Sequence, residues 1–222
     1  MTQSLWLGEL LAMLISAVLL MGYHGAMLRS ERRAPGSTLA VWLRQRREDW
    51  VARMVAEQQG ILAVQTLRNQ MMLATFFAST AVLLIIGVLT LTSHSDELAL
   101  LWSNLSLLGS MEPRWFRIKL LLLLLNLLAA FATFSQTLRL LSHVSFLIST
   151  KTAARGDAEI AVIARLYASS GRWQTIGLRH YYFALPLLLW LFDPLLLVLS
   201  TAALVLFLYR SQRVPQADPA GR

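Results

Sequence analysis

Histidine is the side chain best suited to hold a metal or move a proton near neutral pH, and three of the chain's four histidines sit near the expected cytoplasmic ends of apolar segments. They are His24, His143 and His180. Imidazoles offered at one depth by different helices would ligate haem iron or another metal. The plainer use of each is an interfacial hydrogen bond. No HExxH-type spacing accompanies them. Cysteine is absent, which removes disulfides, thiolate nucleophiles, iron–sulfur clusters and Cys-ligated zinc.

Two carboxylates and one amide stand out because they fall inside long apolar runs, where polar groups are costly and turn inward. Glu9, Ser16 and Tyr23 are seven residues apart and share a helix face, while Asn126, Ala130, Thr133 and Thr137 form a second small, polar stripe. Asp193 precedes Pro194 in the last run, and that proline would free the carbonyl of Trp190. Glu9, Asn126 and Asp193 are therefore the candidates for an ion or proton relay. Helix seams held by small residues and hydrogen bonds are the plainer account of the same stripes. At the mouths of two runs, Arg68-Asn69 and Arg179-His180 each follow a Gly-x6-Leu phrase, starting at Gly60 and Gly171. With His24 they form a candidate network for an anionic ligand. Arginines at such entrances also snorkel to lipid phosphates and set topology without binding anything specific.

These residues need helices that cross a membrane to position them. The chain has 222 residues, of which 56% are hydrophobic and 14% charged, too apolar for an ordinary soluble domain. The apolar residues gather in four blocks, about 5–28, 70–92, 118–138 and 181–209, each able to cross a core of about 30 Å. The pattern predicts an all-α integral membrane four-helix bundle forming one domain over 1–210, with amphipathic helical extensions. Those extensions are the cytoplasmic segments 29–69 and 139–180, and the tail 211–222 reads as disordered. Residues 1–6 hold no Lys or Arg and no cleavage site follows, so the first block reads as a retained span. Arginines crowd 29–68 and recur through 150–180, so the positive-inside rule places both segments in the cytoplasm and both termini outside. Arg210, Arg213 and Arg222 run against that contrast. The net charge of +8 is accounted for by arginines facing anionic lipid, and no nucleic-acid recognition motif is present.

Within the first extension, 34–38 breaks one helix, and Trp50, Met54, Ile61 and Leu62 recur at helical spacing on the next. The segment 157–178 repeats this plan around an expected break at Ser169-Ser170-Gly171. Aligning Gly60–Arg68 on Gly171–Arg179 raises a parallel two-span repeat, or a chance likeness between two helix entries.

Four phrases carry a family likeness: R-N-x-x-M at 68–72, FASTAVLL at 77–84, Y-H at 23–24 and YYFALPLLLWLFxP at 181–194. Together they resemble the domain-of-unknown-function 599 family, multi-pass membrane proteins of bacteria and plants, over about residues 10–210. The resemblance implies the same four-span plan in a bacterial cytoplasmic membrane and lends no activity, substrate or cofactor. No Walker loop, GxSxG elbow, zincin motif or Rossmann glycine pattern appears, so no catalytic residue is assigned. The leading expectation is a non-enzymatic homo-oligomer in contact with membrane lipids, serving as a channel, transporter or assembly factor. A b-type haem electron carrier using two of His24, His143 and His180 is one alternative. The other is an enzyme or binder acting on anionic lipid-linked substrates through Arg68 and Arg179.

Overall fold

The computed structural model describes residues 2–33, 39–94, 98, 113–150 and 156–211. They form six helices: α1 Thr2–Arg33, α2 Leu39–Ala56, α3 Gly60–Ser93, α4 Pro113–Ser149, α5 Asp157–Trp190 and α6 Pro194–Ser211. Among the described residues there is no strand. Three helical stretches, Gly60–Ser93, Arg114–Ser149 and Pro194–Ser211, are long and apolar enough to cross a membrane, and α1 carries a shorter apolar stretch, Leu7–Tyr23. Much of their surface is large exposed apolar side chain, including Leu14, Phe76, Leu83, Leu121 and Leu199. Such a surface calls for lipid around it.

α4 is the central helix. It packs against α3 on one side through Phe116, Leu120 and Leu127, which cluster with Val88, and through Phe134, which meets Ala74 and Ala78. On the other side it packs against α5, and Gly177 makes the close approach. A Cβ placed there would stand 2.7 Å from the Phe134 ring and 2.9 Å from Thr133 Oγ1. At 34 and 37 residues, α3 and α4 run well past the ~20 residues a hydrocarbon core needs. Their excess length builds a second storey. There Val51 and Met54 of α2, Ala63 and Leu67 of α3, Leu141 and Val144 of α4, and Ile163 and Tyr167 of α5 share one core.

Three expectations change. The segment 39–69 is two helices, because the chain turns at Glu57–Gln59, where Gln58 adopts φ 54°. Trp50 and Met54 then face the core, while Ile61 and Leu62 point outward. Second, no break occurs at 169–171. α5 is continuous, Ser170 Oγ donates to the Tyr167 carbonyl at 2.7 Å, and the space left by Gly171's missing side chain holds the Arg47 guanidinium. A glycine in a helix reads as a breaker, yet here it is the seat for a neighbour's side chain.

The third change is the largest. The expected span 181–209 is not one helix. α5 ends at Trp190, and α6 begins at Pro194 after a turn at Leu191–Asp193. Asp193 accepts the Leu195 N–H at 2.8 Å, the bond of an N-cap aspartate, and proline at the first helical position needs no N–H. α6 then runs back along α5, with the Tyr182 and Phe207 rings 6.0 Å apart. It lies parallel to α1: Ala12 meets Leu197 near the start of α6, and Gly22 and Tyr23 line a groove with Val205 and Tyr209 near its end. The start of α1 and the end of α6 therefore lie at opposite ends of the bundle.

Replacing Gly177 with alanine forces the methyl against Phe134 and Thr133. We expect Gly177→Ala to lower stability by about 1–3 kcal/mol, the usual cost of overpacking, in denaturant titration of the detergent-solubilised protein. Gly87, where an added Cβ meets nothing within 4 Å, is the control and should tolerate alanine.

Candidate functional site

The inward face of α1 carries Glu9, Ala12, Ser16 and Tyr23, all buried. The polar stripe of α4 extends one heptad further than Asn126, Thr133 and Thr137, to Lys119. Where the two faces meet, Lys119 Nζ donates to Glu9 Oε1 at 2.8 Å, with side-chain exposures of 1% and 0%. The second carboxylate oxygen, Oε2, accepts the indole Nε1–H of Trp190, the last residue of α5, at 2.8 Å. Lys119 Nζ also stands 5.3 Å from the centre of the Trp190 ring. Asp193, buried on the α5–α6 turn, is a second carboxyl group near Lys119. The arrangement is a desolvated ion pair with both carboxylate oxygens occupied, which holds α1, α4 and the tip of the α5–α6 hairpin at one point.

A second polar level lies seven residues along α4, about 10 Å away at 1.5 Å per residue. Asn126 Nδ2 donates to the His180 carbonyl at 2.8 Å, and Asn126 Oδ1 lies 2.9 Å from His180 Nδ1. The first bond fixes the amide orientation. Oδ1 can then only accept, so the imidazole carries a proton on Nδ1, and in the neutral ring Nε2 keeps its lone pair. Beside it, Tyr181 donates to the Phe77 carbonyl, and its ring packs edge-on to Phe77 and Phe134.

The sequence candidates divide accordingly. Glu9 and Asp193 are brought to one centre, but through Lys119 and Trp190. Asn126 is engaged separately with His180. Arg68 and Asn69 are exposed on α3, and Arg179 is half-buried on α5. The two entrance phrases do not occupy equal depths. α3 and α5 touch at Gln70–Tyr167 and Phe77–Tyr181, offsets of 97 and 104 residues, whereas aligning Gly60 on Gly171 requires 111. Arg179 therefore lies deeper than Arg68 by about 10–20 Å at the helical rise, and the pair does not converge on one ligand. Gly60 opens its helix, whereas Gly171 lies in the interior of α5.

Of the histidines, His24's side chain lies outside the described residues. His143 is exposed on α4, seventeen residues from the Asn126 that holds His180. That is about 25 Å along the axis, too far for both imidazoles to ligate one iron. Among the described residues no group of three or more His, Cys, Asp or Glu is gathered to hold a metal ion.

A family model described as "Protein of unknown function, DUF599" matches residues 11–217. The chain belongs to this family. The match takes in Lys119, Asn126, His180, Trp190 and Asp193, and begins two residues after Glu9. No curated protein and no solved structure matches the chain.

Sequence reading missed Lys119 and Trp190. Both fall inside the apolar blocks 118–138 and 181–209, Lys119 at the edge of the first and Trp190 as one more bulky residue of the second. The available signal was that Glu9 needs a counter-charge, and that Lys119 stands one heptad before Asn126 on a stripe already identified.

Removing one member of a buried ion pair strands the other, whereas replacing both with apolar residues does not. Lys119→Met should therefore cost about 3–5 kcal/mol in denaturant titration, while Glu9→Leu/Lys119→Met should lie within ~1 kcal/mol of the parent or above it.

Proposed function

We propose that the protein is a multi-pass transporter or channel of a bacterial cytoplasmic membrane, working as a homo-oligomer, in which the Glu9–Lys119–Trp190 centre handles a proton or small ion. The observation that carries this reading is the burial of that charged pair. An apolar trio would fasten three helices as firmly, so charge retained in a membrane interior points to use. The Asn126–His180 level adds a second group able to exchange a proton, with Nε2 as the acceptor. On this reading α1, α3, α4, α5 and α6 all cross, and five helices offer only a narrow pathway by themselves, which favours several copies acting together.

The same reading assigns an orientation. The C-terminal end of α1, with Arg29, Arg32 and Arg33, lies at the same end of the bundle as the last turn of α6, with Arg210. Facing both toward the cytoplasm puts the C-terminal arginines on the positive side, where an even number of spans had left them outside. The N-terminus is then outside and the C-terminus inside.

Two measurements test these statements. The chain has no cysteine, so single cysteines are unambiguous reporters. Thr2→Cys should react with a membrane-impermeant maleimide added to intact cells, and Ser211→Cys only after lysis; the reverse pattern overturns the orientation. In proteoliposomes, the parent should carry a proton, sodium or potassium flux, and Glu9→Leu/Lys119→Met should fold normally and lose it. A parent without any of these fluxes, or a double variant that keeps them, removes the transport reading and leaves the centre as a fastening.

A further inference from the structure

Arg68 and Arg139 are both exposed, and they sit at nearly one level on adjacent antiparallel helices. Leu67 of α3 and Leu141 of α4 share a core, and each arginine is within two residues of it. They also leave the α3–α4 seam on the same flank. At about 100° per residue, Arg68 lies half a turn round α3 from Phe77, the residue that meets Tyr181 of α5. Arg139 lies about 140° round α4 from Asn126, the residue that meets His180 of α5. Both guanidinium groups therefore stand on the flank remote from α5. His143, one turn beyond Arg139, is exposed as well but turns away from α3.

Nothing on these two helices neutralises that charge. α3 and α4 contain no Asp or Glu along their whole lengths. Among the described residues neither arginine has an ion-pair partner, whereas Arg44 and Arg46 of α2 are paired with Glu48 and Asp49 within their own helix. Along α4 from Arg139, the same stripe presents Leu128, Leu125 and Leu121, all exposed. The flank is thus basic at one end and apolar along the rest, the profile of a phospholipid with an anionic head and acyl tails.

We propose that the α3–α4 flank is a binding site for an anionic phospholipid of the leaflet at the Arg68 end, with Arg68 and Arg139 clasping the phosphate. Guanidinium forks suit a phosphate held by two or more oxygens. The inference rests on α3 and α4 crossing a membrane and is independent of the charged centre.

The test is native mass spectrometry of the full chain released from nanodiscs of phosphatidylglycerol or phosphatidylcholine. The parent should retain phosphatidylglycerol in preference to phosphatidylcholine. Arg68→Ala/Arg139→Ala should retain it at least tenfold less, with unchanged helicity and thermal unfolding. Arg68→Lys/Arg139→Lys should be intermediate, and Arg44→Ala/Arg46→Ala should behave as the parent. Equal retention by the parent and the Arg68/Arg139 alanine pair overturns the site, as does equal retention of the two lipids by the parent. Displacement of phosphatidylglycerol by millimolar inorganic phosphate would also overturn it, because the ligand would then be a free anion.

Discussion

The arrangement of the bundle depends on where Glu9 finds its positive charge. A carboxylate in a water-free interior must be neutralised and hydrogen-bonded, and Glu9 obtains the first from Lys119 and completes the second with Trp190. Those partners come from elements far apart in sequence, so satisfying one side chain fixes α1 against α4 and against the end of α5. The cost of leaving any member alone makes the junction all-or-none. Apolar packing around it, from Ala12, Leu187, Leu197 and Leu122, is non-directional and sets no register of its own.

The second determinant is the turn that follows Trp190. Leu-Phe-Asp-Pro lies within an apolar run long enough to read as one span, and hydropathy averaged over the run has no means of counting a reversal marked by a single polar residue. The local chemistry does mark it. Aspartate before proline is the pairing of an N-cap and a first helical residue, and here it starts α6 rather than kinking a continuous helix. The aspartate that looked like a relay group therefore has a conformational duty, capping α6, in addition to its nearness to Lys119.

Much was legible beforehand. The apolar blocks at 70–92 and 118–138 fall inside α3 and α4, the Glu9–Ser16–Tyr23 face is buried as its spacing required, and the Asn126 stripe lies on the α4–α5 seam. What stayed hidden depends on tertiary register. Arg68 and Arg179 look equivalent as neighbours of a glycine phrase, but depth is set by which residues pack across helices, and Gln70 against Tyr167 sets it differently. Lys119 was hidden because a lysine near a helix end resembles an interface anchor, and only the position of α1 shows that it is desolvated.

The continuity of α5 has a mechanical consequence. One unbroken helix carries Tyr167, beneath the Arg47 guanidinium of α2, and Trp190, in the grip of Glu9. The two are 23 residues apart, about 35 Å along one continuous helix whose interior proline, Pro186, stands one turn before Trp190. At Pro186 the Tyr182 carbonyl lacks its helical N–H partner, so the turn before Trp190 is where this helix can yield. The amphipathic α2 and the Glu9–Lys119 pair are thus joined by one helix, held at its two ends by the Arg47–Tyr167 contact and the indole–Glu9 hydrogen bond.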